Sequence, residues 1–194
     1  ADTANNFGSA NEKNYANNAM KILYSSNTYS GFSFAASYTP NYSESGAGGN
    51  SGQLTAASSS AWGSFNDILA TYGKYAMEMD GVGVEIVYGV QTGNAGRIDA
   101  VEYNDLDETS YSVKLSYAGF SADYRKNEAG NSGYAKNGNA GNDEGTSVCG
   151  EYAAGNFRVN ACQVETSFTD TSNLSNSQET MTYAADYSLG GGVT

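Results

Sequence analysis

A chain of 194 residues with 21 acidic and nine basic side chains, net charge −12 and no histidine would be repelled by nucleic-acid phosphates and cannot assemble a histidine-based general base or catalytic triad. No run approaches the roughly 18 apolar residues that a membrane-spanning helix needs, so any membrane crossing has to use strands. The 24 Gly, 16 Tyr and single Pro favour many short strands with polar loops, and a mean hydropathy of −0.49 is no objection, since only alternate residues of a barrel strand meet lipid.

In chain order, the opening ADTANN holds no charged-then-apolar export segment, so either one has been removed or the sequence begins inside a longer chain. The segment MKILYSSNTYSGFSFAASYTP alternates on Ile22 and Tyr24, turns near Tyr29-Ser30-Gly31 and resumes on Phe32, Phe34, Ala36 and Tyr38, with Leu23 on the polar face. GAGGNSG, residues 46–52, lacks the lysine and spacing of a phosphate loop and reads as flexible connection. Trp62, in the same connection, receives no role. Asp80-Gly81 is a hairpin signal; centring on it sets Met79 opposite Val82, Met77 opposite Val84 and Tyr75 opposite Ile86. The other face of that hairpin then carries Lys74, Glu78, Asp80 and Glu85.

DAVEYNDLDE, residues 99–108, supplies five carboxylates: Asp99, Glu102, Asp105, Asp107 and Glu108. These are weak calcium candidates, because oxygen ligands are present but EF-hand spacing is not. A solvated acidic loop is the plainer reading, and no other cofactor is expected. Centring the next hairpin on Ala118-Gly119 pairs Tyr117 with Phe120, Leu115 with Ala122 and Val113 with Tyr124, and sets Lys114 opposite Asp123. A Gly155-Asn156 turn pairs Tyr152 with Val159 and, on the other face, Cys149 with Cys162 beside Glu151, Arg158 and Asn160. A disulfide suits an exported protein, but a slip of one residue would separate the thiols, so a bridge and two free cysteines both stay open. Two cysteines without histidine supply neither a zinc site nor a cysteine-histidine nucleophile. A last strand alternates Met181, Tyr183, Ala185 and Tyr187 against Thr182, Ala184 and Asp186.

Nine strands result, near 20–27, 31–39, 71–80, 82–92, 109–118, 120–127, 146–154, 157–168 and 178–189. Short turns near 30, 80, 118 and 155 alternate with long connections at 41–70, 93–108, 128–145 and 169–177. A sandwich rarely sorts its loops in this way, whereas a transmembrane barrel does. The fold class is therefore all-β, an antiparallel transmembrane β-barrel formed as a single domain. The apolar band would meet lipid. Lys74, Glu78, Asp80, Glu85, Lys114, Asp123, Arg125, Glu151, Arg158 and Asp186 would line water, because so many charges cannot sit in a dry core. Nine strands leave two open edges, which hydrocarbon does not tolerate, so the chain reads as part of a larger barrel.

NNAMKILYSSNTYSGFSFAASYTP, Asn17 to Pro40, resembles the sixth and seventh strands of the Gram-negative general porins, those of alphaproteobacterial type above all. DGVGVEIVYG and YAGFSADYRK are similar to later hairpins of that family, although the chain ends Gly192-Val193-Thr194 without the family's terminal aromatic residue. The resemblance implies a sixteen-stranded homotrimeric barrel of which this chain holds about strands six to fourteen. Residues 1–16 would end an inward-folded loop, bringing Asp2, Glu12 and Lys13 near the constriction, and 17–194 would hold the nine strands.

The function that follows is an outer-membrane pore for passive diffusion of small hydrophilic solutes and ions. Its wall, acidic on balance, would favour cations mildly. It would have lipid and its own copies as partners, bind no nucleic acid and perform no chemistry on the solute. Two alternatives stay open: a surface β-protein whose long loops bind a partner or phage, and a secreted β-sandwich or surface-layer protein.

Overall fold

The computed structural model describes residues 21–41, 65–95, 97–98 and 101–188. The inward loop assigned to 1–16, the 46–52 stretch, Trp62, Asp99 and the chain end lie outside the described residues. The strands in chain order are β1 Ile22–Ser25, β2 Phe32–Asn41, β3 Phe65–Met79, β4 Val82–Ala95, β5 Arg97–Ile98 and β6 Val101–Glu102. They continue as β7 Leu106–Tyr117, β8 Phe120–Gly130, β9 Gly141–Ala154, β10 Phe157–Thr169 and β11 Ser175–Tyr187. Nine of them form one antiparallel sheet in the order β1-β2-β3-β4-β7-β8-β9-β10-β11, and β5 and β6 make a separate two-stranded ribbon. β1 and β11 are the sheet's edges among the described residues.

The hairpins follow from their turn residues. Ser30-Gly31, Asp80-Gly81 and Ala118-Gly119 all adopt positive φ at both positions, the type I′ geometry that matches strand twist. The registers are those read from the turns: Met79 faces Val82, Tyr117 faces Phe120 and Cys149 faces Cys162. At Gly31 and Gly119 the backbone also presses against the next strand, since Ala76 N donates to Gly31 O at 2.9 Å and Ala153 N to Gly119 O at 2.8 Å. A Cβ at either glycine would run into that neighbouring backbone.

The strands extend further toward the long connections than the alternation indicated: β3 starts at Phe65, β4 ends at Ala95 and β9 starts at Gly141. The ladder continues there because backbone pairing needs a neighbouring strand, not an apolar face. Each extension carries an irregularity, at 66–69, 128–130 and 167–169.

Burial runs opposite to that of a soluble protein. Leu115, Tyr117 and Phe120 on one face are 50%, 60% and 62% exposed, while Ser147, Asn127 and Asp123 on the other are 1%, 5% and 9% exposed. This pattern fits a sheet curved around its polar face, where side chains converge, with the apolar face splayed outward. Aromatic pairs brace the outward face, with ring centroids 4.3 Å apart for Phe32 and Tyr75 and 4.4 Å for Phe120 and Tyr152. The described apolar core is small: Phe65, Ile68 and Leu106 with Ala95 against them, at the long-connection end. No described element packs over the outward band.

Candidate functional site

Residues paired across an antiparallel ladder share a face, so the registers can be followed from strand to strand. One row runs Ala76, Glu85, Lys114, Asp123, Cys149, Cys162 and Thr182. The row nearer the long connections runs Lys74, Val87, Ser112, Arg125, Ser147, Val164 and Thr180. The row nearer the short turns runs Glu78, Gly83, Ser116, Ser121, Glu151, Asn160 and Ala184. Arg158 and Asp186 are partners in the last row of the same face. Nine of the ten charged positions expected there thus share one face. The tenth, Asp80, is a correction: at φ 53° it is the first turn residue and stands at the hairpin tip. Strand parity does not carry through a type I′ turn.

Ion pairs organise this face. Lys74 pairs with Glu85, and Arg158 Nη2 lies 3.1 Å from Asp186 Oδ2 with Glu151 at 4.0 Å on its other side. Lys114 and Asp123 are ladder partners as the turn indicated, yet Asp123 binds Arg125 Nε of its own strand at 2.7 Å. Residues i and i+2 of a strand share a face, and the long guanidinium arm reaches back along it. Among the described residues Lys114 has no carboxylate within 4.0 Å. Cys149 and Cys162 form a disulfide on this face.

The acidic segment behaves differently from a solvated loop. Glu108 lies in β7, is 1% exposed on the polar face, and accepts from Asn127 Nδ2 at 3.4 Å. Asp107, one residue away, points to the opposite side and is exposed. Asp105 Oδ1 accepts from Ala95 N at 2.8 Å, and Glu102 lies 3.9 Å from Lys136 Nζ. Glu102 ends β6, Asp105 lies between β6 and β7, and Asp107 and Glu108 take opposite sides of β7; among the described residues no three potential ligands gather.

At the long-connection end the β8–β9 connection folds onto the polar face, a feature the sequence reading missed. Tyr134 Oη, from within that connection, donates to Asp143 Oδ1 at 2.8 Å, and both residues are buried. Burial, then the bond to Asp143, pushes the Tyr134 phenol above its ordinary pKa. The same connection zips to the chain before β7: Asn104 N donates to Tyr134 O, Gly133 N to Asn104 O and Lys136 N to Glu102 O. Ser132 Oγ accepts from Asp107 N at 2.9 Å. Tyr134→Phe should loosen this lip by about 1–2 kcal/mol, read as faster amide exchange at 132–136 with the strands unchanged; unchanged exchange would place the anchor elsewhere. The β10–β11 turn has its own staple, Asp170 Oδ1, which accepts from Ser172 N and Leu174 N at 2.9 and 3.0 Å. The Leu174 bond foremost holds this carboxyl below its usual range.

The arrangement is a sheet with a charged polar face on one side and an exposed apolar face on the other. A family model described as Gram-negative porin matches residues 1–194, the whole of the chain. No curated protein and no solved structure matches it. The chain belongs to the Gram-negative porin family and is thus an outer-membrane β-barrel channel protein.

Proposed function

From this family membership we propose that the charged face lines a water-filled channel for passive diffusion of small hydrophilic solutes, mildly favouring cations, in a sixteen-stranded homotrimer. The observation that carries the reading is the shared face: four cations, Lys74, Lys114, Arg125 and Arg158, stand beside six carboxylates, Glu78, Glu85, Glu108, Asp123, Glu151 and Asp186. An acidic surplus raises the local cation concentration without binding any ion tightly. Among the described residues β1 and β11 are the sheet's edges, and closure into a barrel would pair them, because unpaired backbone in hydrocarbon costs several kcal/mol per group. Planar-bilayer recording across a potassium chloride gradient should give ohmic steps in threes and a reversal potential on the cation side. Chloride preference would overturn the selectivity, and insertion without current would overturn the channel reading itself.

A further inference from the structure

Most charges on the wall are held by a neighbour, which leaves two exposed ones without an ion pair among the described residues. Lys74 is committed to Glu85, Arg125 to Asp123, and Arg158 to Asp186 and Glu151. Lys114 and Glu78 have no ion pair within 4.0 Å among the described residues, and both side chains are exposed. They do not reach each other. Glu78 is on β3 and Lys114 on β7, with β4 between them and one row of offset, about 12 Å between Cα atoms for ideal strand spacing. The strand position between them is Gly83, which puts no side chain in the gap and against which a Cβ would strike Ser116 Oγ. The result is a recess of about 410 Å³ whose polar lining is Glu78, Glu85, Lys114 and Ser116, with Ala76, Met77, Gly83 and Val84 completing it.

We propose that this recess is a transit subsite for zwitterionic solutes, free amino acids or short peptides, whose ammonium end is drawn to Glu78 and whose carboxylate end is drawn to Lys114. The proposal rests on the channel reading above. A simple cation gains at Glu78 and loses at Lys114, and a simple anion meets the reverse, so neither gains much from the pair. A dipolar solute satisfies both ends at once, and the Ser116 hydroxyl adds a neutral donor and acceptor between them. The contacts are exposed and weak, which suits passage rather than retention, because a subsite on a conduction path must release its occupant.

The test is the swelling of proteoliposomes in glycylglycine and in a neutral polyol of similar size, taken as the ratio of the two rates. Glu78→Gln and Lys114→Gln should each lower the ratio about two-fold, the size of one solvent-exposed charge contact. Lys136→Gln, in the mouth connection, should leave it unchanged. An unaltered ratio in both single variants overturns the subsite while normal polyol swelling leaves the channel standing. Absence of polyol swelling in the unaltered protein overturns both.

Discussion

Arginine in place of Leu115 is expected to cost about 2–4 kcal/mol of barrel stability, the penalty for a charge near the midplane of the lipid face. Leu115 sits between Val84 and Ala122 in an outward row that continues through Met77 and Tyr183, and half of its surface is exposed. No described side chain of opposite sign shares that row. Asn160→Arg makes the matched control: Asn160 is on the wall beside Glu151, where an added cation meets water and a carboxylate, so its effect should stay within about 0.5 kcal/mol. Denaturant unfolding in lipid vesicles, followed by the heat-dependent gel mobility of the folded barrel, measures both. Equal penalties at the two positions, or a larger one at Asn160, would mean that the faces have been assigned the wrong way round.

Removing the Cys149–Cys162 bridge should have the second large effect. The two residues are directly opposed in the β9–β10 ladder and are 13 residues apart in sequence. In the chain-entropy account, closing a loop of that length in the unfolded state is worth about 3 kcal/mol. The paired Cys149→Ser and Cys162→Ser variant should lose that much and become insensitive to reductant, while the unaltered protein should fall to the same stability on reduction. If reductant moves neither protein, the bridge makes no contribution to stability. The bridge also has a specificity role, since its two ends can be joined only when Gly155-Asn156 forms the turn, which excludes the one-residue slip that would turn every lipid-facing side chain of β10 inward.

The features legible in the sequence were those decided within a dozen residues. At Asp80-Gly81 and Ala118-Gly119, the turn residues select the backbone geometry, the geometry selects the register, and the register sorts Met77 from Glu78 or Leu115 from Lys114 onto opposite faces. The opposed cysteines followed in the same way, although opposition alone did not decide between thiols and a bridge. The ribbon formed by β5 and β6 and the extensions at Phe65 and Gly141 gave no such signal. Their residues do not alternate in the way the membrane segments do, and what holds them is a neighbouring backbone.

Glu108 and Lys114 show where local reading stops. Glu108 stands in a run of acids whose plainer reading is a solvated loop, yet β8 brings Asn127 against it and it is buried. Lys114 has an acid directly opposite, yet Arg125, also on β8, takes that acid first. Sequence alone determined the strand alternation, the short turns, the hairpin registers and, through them, which side chains share a face, because each depends on backbone conformations set by adjacent residues. The tertiary structure alone decided which charges are neutralised, which carboxylate is buried and which connection folds onto the wall. Those outcomes depend on side chains from several strands competing for the same partners once curvature has brought them together, and that competition has no counterpart in any single stretch of the chain.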